Sequence, residues 1–368
     1  MSNPGISSPI RHVARLAPRR RDQAARRATL KDIAATLGLS VNTVSRALAG
    51  KDAVSESTRA LIQAEADRLG YVPNAMARSL VVGSAMVLGL IITNPSNPLY
   101  ATLISAIEQR GRAHGYSLVL LATEESLEVE ERAVEELLRW GVDGAIAVPV
   151  QQGAEHWKRL KAAGMPLVLV NRDLADLDCD SVGVDYKIGA YRAASHLVNA
   201  GATTVHLLEE DLSISPVADR ITGFRRAMSE RGLREDTIVR VPTRRRRTSA
   251  LPWQPDDAYH LAQSLIPELE PGAALMVGND YFALGVYRAL IEAGRSIPGQ
   301  VAVMGYGDHP FSAYLHPALS SVRLPTAEIG ATAVNLLLGR LRGESSTVGP
   351  QKIRLEPALV IRASTGGG

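Results

Sequence analysis

The sequence predicts a small all-α domain followed by a larger, doubly wound α/β domain. Short helix-forming segments fill residues 29–73, and from residue 86 onwards brief apolar runs alternate with amphipathic helical segments. With 368 residues, of which 46% are hydrophobic, the chain can build two or three ordinary domain cores. We divide it into a basic tail expected to be disordered (1–28), the α-helical domain (29–73), a linker with a short helix (74–85) and the α/β domain (86–368).

Composition limits the class of protein. Cys179 is the only cysteine, which excludes a disulfide framework within the chain and a CxxC metal site. No apolar run reaches the length of a membrane span, and no apolar stretch follows the N-terminal arginines as in a secretory signal. We therefore expect a reducing cytoplasm and no membrane partner. The arginine-rich segment 10–27 predicts either a solvated tail or a nucleic-acid contact.

The stretch LKDIAATLGLSVNTVSRALAG, residues 30–50, predicts two short helices joined by a sharp turn. Thr29 suits the cap of the first helix, Gly38 permits the turn, and Ser40 suits the cap of the second. In the second helix Val44 and Ala47 face inward, which leaves a polar face of Asn, Thr, Ser and Arg. This spacing is typical of a helix-turn-helix, although a bundle used for protein contact has the same pattern.

A third helix and a short linker helix are predicted next. Ser55 can cap a helix over about residues 56–69, which Pro73 ends. The segment NAMARSL (74–80) can form a helix too short to be stable alone in water, so it needs a partner.

The rest of the chain predicts two parallel sheets covered by helices. The strand candidates are nearly continuous apolar runs, as in strands buried on both faces. They are MVLGLIIT (86–93), SLVLLAT (117–123), GAIAVPV (144–150), PLVLVNR (166–172), SVGVD (181–185), TVHLLEE (204–210), ALMVG (274–278) and VAVMGY (301–306), with LSSVRLP (319–325) and LEPALVIRAS (355–364) completing crossovers between two lobes.

Taken together, these motifs resemble a known family. TLKDIAATLGLSVNTVSRALAG followed by ADRLGYVPNAMARSL is similar to the DNA-binding headpiece and hinge helix of the lac-repressor/galactose-repressor family. VGVDYKIGAYRAASHLVNAG, GNDYFALGVYRAL and VAVMGYGDHPFSAYLHPALSSVRLP resemble its regulatory domain, which is similar to two-lobed periplasmic sugar-binding proteins. The resemblance covers Thr29 to Ser364.

The resemblance implies a set of DNA contacts. The second helix would lie in the major groove, with Val41, Asn42 and Arg46 reading bases and the nearby hydroxyls binding phosphates. Paired hinge helices would enter the minor groove, where Leu80 would be wedged between base pairs and kink the duplex. The expected DNA-binding residues are Thr29, Ser40, Val41, Asn42, Thr43, Ser45, Arg46, Ser55, Asn74, Arg78 and Leu80.

The ligand of such a fold lies at the carboxyl ends of the strands, between the lobes. Asp280 matches the family's ligand-binding acid and would accept two sugar hydroxyls or bind an amine; its alternative role is a helix N-cap. Arg172 would otherwise form a salt bridge between lobes. The expected effector-binding residues are Asn94, Leu99, Tyr100, Asn171, Arg172 and Asp280.

Two departures from the family pattern leave the effector open. Ala218 stands where sugar-responsive members place an arginine, and Arg220 is assigned a structural position. Arg244, Arg245, Arg246 and Arg247 form either a solvated loop or a contact to an anionic effector or DNA.

Together these features predict a transcription regulator. The P-loop, nucleophile-elbow and HExxH motifs are absent, so we expect neither an enzyme nor a cofactor or metal. We expect a cytoplasmic homodimer, at the nucleoid when bound to a palindromic operator, that represses under control of a sugar-like effector. The alternative is a solute-binding protein of the same α/β fold without a DNA role. The sign of regulation, and whether the effector induces or co-represses, stay open.

Overall fold

The computed structural model describes residues 28–48, 54–71, 84–243, 255–344 and 349–366. The chain divides into two compact units, Met1–Ala77 and Arg78–Gly368.

Several predicted features therefore lie outside the described residues. They are the basic tail up to residue 27, the hinge residues Asn74, Arg78 and Leu80, and the run from Arg244 to Arg247.

The first unit contains the predicted helix-turn-helix and third helix. Gly38 ends the first helix with a φ of +66°, the left-handed conformation that glycine adopts without strain. Ile33, Val44 and Ile62, one from each helix, are fully buried and form the centre of a small core. The helices are α1 (Leu30–Leu37), α2 (Val41–Leu48) and α3 (Glu56–Arg68).

The second unit contains two six-stranded sheets, one in each lobe. The first sheet has the order β11-β5-β4-β3-β1-β2, and all its neighbouring strands are parallel. Its strands are β1 (Val87–Ile92), β2 (Ser117–Ala122), β3 (Gly144–Ala147), β4 (Leu167–Val170), β5 (Asp180–Val184) and β11 (Lys352–Leu355).

The second sheet has the order β12-β10-β9-β8-β6-β7. The two sheets thus share one doubly wound topology. The strands of the second sheet are β6 (Thr204–Glu210), β7 (Ile238–Val241), β8 (Ala273–Val277), β9 (Val301–Gly307), β10 (Ser320–Arg323) and β12 (Ala358–Val360).

Helices cover both faces of the sheets, as the apolar strands predict. An added Cβ at Gly89 of β1 would lie 2.6 Å from Leu137, and one at Gly144 of β3 would lie 2.9 Å from Leu337, so both glycines allow a helix to approach the sheet closely. The helices of this unit are α4 (Pro98–Ala113), α5 (Leu127–Trp140), α6 (Glu155–Ala162), α7 (Tyr186–Asn199), α8 (Ser215–Ser229), α9 (Pro255–Leu265), α10 (Asp280–Glu292) and α11 (Thr326–Leu341).

The prediction of two parallel sheets needs one correction. β12 pairs antiparallel with β10, because the chain returns to the second lobe at its edge and runs back along it. The structure also contains two strands that the apolar pattern did not predict. They are β7 and β11, edge strands with alternating or polar side chains such as Arg240 and Arg354.

The chain crosses between the lobes three times. β5 of the first sheet leads to α7, which packs on α8 and β6 of the second lobe. β10 leads back to α11, which packs on α4 and the first sheet. β11 of the first sheet then leads directly to β12 of the second. The candidate ligand site described below lies at the carboxyl ends of the strands of each lobe.

Candidate functional site

The exposed face of α2 is the first candidate site. Val44 and Ala47 face the core, whereas Val41 is 41% exposed and Asn42 and Arg46 are exposed beside it. Residues four apart on a helix share a face, so Val41 lies above the half-buried Ser45 and Asn42 lies above Arg46. The helix therefore presents one apolar and several polar groups together, as base reading in a groove requires.

Hydroxyl groups at the helix starts mainly hold the helices in place. Ser40 Oγ accepts a hydrogen bond from the backbone N–H of Thr43 (3.1 Å), and Ser55 Oγ accepts one from Thr58 (3.3 Å). The backbone N–H and hydroxyl of Thr29 both donate to a carboxylate oxygen of Asp32. The predicted caps are thus confirmed, and the exposed Ser40 and Ser55 hydroxyls stand at helix N-termini, where anions are favoured.

The second candidate site is the cleft between the lobes. In each sheet the strand order reverses at one point, between β1 and β3 and between β6 and β8. Ligands of doubly wound sheets bind outside the carboxyl ends of the strands at this switch point. The residues that follow these strands in the two lobes therefore form the walls of a candidate ligand site.

The wall of the first lobe contains a buried ion pair. Arg172 donates two hydrogen bonds to Glu125, of 2.8 and 2.7 Å, and one to the carbonyl of Pro149. All three residues follow strands of the first sheet, so the expectation of a salt bridge between lobes is wrong. Burial raises the pKa of the nearby Tyr100, which is 5% exposed, although Arg172 acts against this rise.

The other residues predicted for this wall differ in burial and in hydrogen bonding. Leu99 is half-buried and packs against the core beside Tyr100. Asn94 has its side-chain oxygen occupied by the backbone N–H of Ser96 at 2.8 Å, within a turn. Asn171 is 9% exposed, has a φ of +63°, and both polar atoms of its side-chain amide are buried without a partner.

The wall of the second lobe is built around Arg220. Its guanidinium donates to Glu209 at 2.8 and 2.7 Å and lies 5.6 and 5.2 Å from the ring centres of Tyr186 and Tyr306. Glu210 lies next to this pair, 3.5 Å from Arg220 Nη2 and 3.4 Å from the side-chain nitrogen of Asn279. Arg220, for which a more structural position was expected, is thus held in a buried ion pair with Glu209 at the end of β6.

The sequence prediction placed the carboxylate of Asp280 in contact with the ligand, whereas in the structure protein groups enclose it. It is fully buried, and its carboxylate accepts hydrogen bonds from the backbone of His309 (2.9 Å) and the hydroxyls of Ser312 (2.7 Å) and Ser321 (2.8 Å). Neither oxygen is exposed to a ligand in this structure. The alternative N-cap role is also wrong, because Asn279 caps the helix with a hydrogen bond from Tyr281.

Gln151 joins the two walls. Its side-chain oxygen accepts from the backbone N–H of Ser215 at 2.9 Å, and its nitrogen donates to the Ser215 hydroxyl at 3.0 Å. Gln151 follows β3 of the first lobe, whereas Ser215 begins α8 of the second. The same nitrogen donates to the carbonyl of Asp173. This amide is therefore a direct link between the lobes at the cleft.

Sequence reasoning missed several cleft residues. Glu209 and Glu210 end the strand TVHLLEE, so the rule that selected Asn94 and Asn171 at strand ends applied to them as well. Asn279 lies one residue before the predicted Asp280. Glu125 and Gln151 carried no comparable signal, because they lie in loops whose paths depend on the folded lobes.

In the described part of the chain, no helix is both long and apolar enough to span a bilayer.

Family models match both parts of the chain that carry these candidate sites. Residues 29–74 match the model of bacterial regulatory proteins of the lacI family, and residues 194–365 match a periplasmic binding protein-like domain. The chain is 31% identical over 340 residues to the ribose operon repressor of Escherichia coli K12, covering 92% of this chain and 99% of the relative.

Two solved structures have a similar fold. The lac repressor dimer bound to operator and the anti-inducer ONPF has a TM-score of 0.81 at 24% identity, covering 92% of this chain and 99% of that one. A LacI family regulator from Enterococcus faecium with bound ribose has a TM-score of 0.65 at 26% identity, covering 76% and 98%. The family match over residues 29–74 and the 31% identical repressor, which aligns with 92% of this chain, exclude the alternative of a solute-binding protein without a DNA role. The chain therefore belongs to the LacI family of bacterial regulatory proteins and is a DNA-binding transcription regulator.

Proposed function

We propose that the protein represses transcription as a homodimer on a palindromic operator, and that a small sugar-like effector in the cleft controls it. We place it in the cytoplasm, associated with the nucleoid when it is bound to its operator. The observation that carries the proposal is the exposed face of α2, which combines Val41, Asn42 and Arg46 on a helix of the family's DNA-binding domain.

The side chains on this face suit direct reading of bases. Asn42 can pair with adenine through two hydrogen bonds, Arg46 can do so with guanine, and Val41 can contact a thymine methyl group. Thr43, Ser45 and Ser55 are proposed to bind phosphates, together with Thr29 and Ser40 at the helix starts. Asn74, Arg78 and Leu80 are proposed to act in the minor groove. One headpiece reads one half-site, so a palindrome requires two copies of the chain.

The cleft suits a compact, polar effector. Tyr100, Tyr186 and Tyr306, which are nine-tenths or more buried in this structure, are proposed to offer flat apolar surface to it. The amide of Asn171 and the side-chain nitrogen of Asn279 are proposed to contact its polar groups, since the Asn279 oxygen already caps α10. The unpartnered amide of Asn171 is costly to bury, and ligand hydroxyl groups would satisfy it. The ribose operon repressor and the ribose-bound regulator support a sugar-like molecule as the starting hypothesis.

Two of the predicted effector residues receive different roles. Asn279 replaces Asp280 as the proposed contact after β8, because Asp280 is enclosed. Asp280 instead fixes the loop from His309 to Ser312, which borders the second sheet. Arg172 is proposed to orient Glu125 and not to serve as a free cation.

We propose that the effector acts by changing the angle between the lobes. The two hydrogen bonds between Gln151 and Ser215 form across the cleft, so they are sensitive to a small opening. A change of lobe angle would alter the spacing of two hinge helices in the dimer, each too short to be stable alone. The coupling free energy of such order–disorder switches is about 1–3 kcal/mol.

The DNA-binding proposal is tested by selecting duplexes from a random pool with the full-length chain. We expect a palindromic consensus. The logarithm of the binding constant should also fall steeply and linearly with the logarithm of the salt concentration. Selection of no sequence above random DNA would refute a sequence-specific operator.

The effector proposal is tested by a thermal-shift screen of sugars, polyols and nucleosides. A true effector raises the free energy of unfolding by about 2.7 kcal/mol at one hundred times its dissociation constant. Asn279→Ala should weaken binding of any compound found, whereas the exposed Thr222→Ala should not. Equal binding by the wild type and Asn279→Ala would place the effector elsewhere.

A further inference from the structure

The cleft contains one more carboxylate than guanidinium group within its two ion clusters. The first lobe contributes Arg172 and Glu125, which neutralise each other. The second contributes Arg220 with both Glu209 and Glu210. All of these except Glu125 are at least nine-tenths buried. A buried, unbalanced charge is expensive, because its hydration is lost without a matching partner.

Glu209 and Glu210 are not equivalent partners of Arg220. Glu209 is fully buried and binds Arg220 through two short hydrogen bonds, of 2.8 and 2.7 Å. It also accepts a bond of 2.8 Å from the backbone N–H of Glu210. The carboxylate of Glu210 has only the contacts of 3.5 and 3.4 Å to Arg220 and Asn279. Such distances are at the weak limit of hydrogen bonding, so Glu210 is the acid left over.

Apart from Arg220, no cation of the described structure donates a hydrogen bond to the Glu210 carboxylate. Arg172 is committed to Glu125, and Arg240 donates to the backbone carbonyl of Glu210, not to its carboxylate. Burial raises the pKa of Glu210, and the neighbouring Glu209 adds to this rise, whereas Arg220 and Arg172 oppose it.

The opposite wall supplies an independent sign of a missing polar ligand. Asn171 has both side-chain polar atoms buried and unpartnered, at the carboxyl end of β4. Glu210 is the last residue of β6, so it and Asn171 both stand at the carboxyl ends of their sheets, where the cleft lies. Acceptor groups therefore occur on both walls, an excess charge on one and a free amide on the other.

We propose that the effector carries a basic nitrogen, as an amino sugar or amino polyol does, and that Glu210 binds this ammonium group. The ammonium supplies the charge that the cleft lacks and donates to the carboxylate, while its hydroxyl groups satisfy Asn171 and Asn279. This inference rests on the proposed function, in that it places the effector in the same cleft. It narrows the class of candidate effectors from neutral sugars to sugars or polyols that carry an ammonium group.

The test compares matched ligand pairs by calorimetry on the full-length protein. D-Glucosamine, D-galactosamine, D-mannosamine and 1-amino-1-deoxysorbitol are each paired with the neutral parent, and the amino sugars also with their N-acetyl forms. We expect at least one amine to bind ten times more tightly than its neutral counterparts. Glu210→Gln, which keeps the shape and removes the charge, should abolish that preference. Asp236→Asn removes an exposed charge from the same lobe and should preserve it.

Three results would overturn the inference. They are a neutral parent that binds as tightly as its amine, an amine that binds Glu210→Gln as tightly as the wild type, and the absence of binding by every amine. Operator affinity of each ligand-free variant verifies that it is folded. A neutral sugar that binds and changes operator affinity would preserve the proposed function while the amine inference fails. Loss of operator recognition by the wild type would instead refute the proposed function.

Discussion

The headpiece and the cleft prepare their recognition groups in opposite ways. On α2, Asn42 and Arg46 are exposed, and the small core beneath them is centred on Ile33, Val44 and Ile62. In the cleft, Arg172 and Arg220 are buried and already bonded to carboxylates. A surface that meets DNA receives its partners and much of its affinity from the nucleic acid. A closed cleft must hold its polar groups in place beforehand, because an unpaired buried charge destabilises the fold.

The largest effect should come from breaking a prepared pair. Glu209→Ala leaves Arg220 buried beside only the weakly bonded Glu210, so the free energy of unfolding should fall by about 3–5 kcal/mol. Urea unfolding followed by circular dichroism measures this change. Glu128→Ala removes the exposed partner of Arg132 and should change stability by less than about 1 kcal/mol. A loss for Glu209→Ala as small as this control would mean that the cleft pair is not a stabilising unit.

The matching change in the headpiece should leave folding intact. Asn42→Ala removes an exposed side chain, so stability should stay within about 0.5 kcal/mol of wild type. Specific operator binding should weaken by about 1–3 kcal/mol while binding to random DNA is nearly unchanged. Fluorescence anisotropy on both duplexes measures this, with the exposed Gln63→Ala on α3 as control. Equal weakening on both duplexes would contradict base reading.

A smaller effect is expected at the link between the lobes. Gln151→Ala removes two hydrogen bonds to Ser215, so the closed arrangement should lose about 1–2 kcal/mol relative to an open one. Spin labels at the exposed Lys158 and Arg234, one in each lobe, report this as a population at longer distance. Thr222→Ala on α8 provides the control. An unchanged distance distribution would show that other contacts hold the lobes together.

The smallest effect is a dependence on pH that distinguishes the two units. Burial lowers the pKa of His309, against the pull of Asp280 and Asp308, below its usual value of 6.5. At this site the unfolded chain therefore binds more protons than the folded one as pH falls through 6.5, and His309 alone lowers the free energy of unfolding by at most about 1.4 kcal/mol per pH unit. His196 and His206, whose pKa values burial also lowers, add to this slope. The described residues of the headpiece contain no histidine. His309→Gln should flatten the acid side of the stability profile, and an unchanged slope would rule out His309 as its source.

The same contrast explains what the sequence could predict. The headpiece is local: Thr29, Gly38 and Ser40 act within a few residues, so spacing alone predicted its helices and its exposed face. The carboxyl ends of the strands could be predicted as a set, and this selected Asn171 and Arg172 after β4, whereas Tyr100 was selected by the family resemblance. Pairing within the cleft was not, because Arg172 bonds Glu125 across 47 positions and Asp280 bonds Ser321 across 41. Which acid the fold encloses, as it does Asp280, depends on these distant partners.

The last crossing between the lobes has a consequence for biosynthesis. β11, at residues 352–355, fills the edge of a sheet whose first strand begins at Val87. The first lobe therefore leaves β5 as an open edge until almost the whole regulatory domain has been translated. An unpaired strand edge can pair wrongly with another chain, and on a polysome the neighbouring nascent copies are identical. The interval between synthesis of β5 and of β11 is therefore the period in which the first lobe is most open to such mispairing.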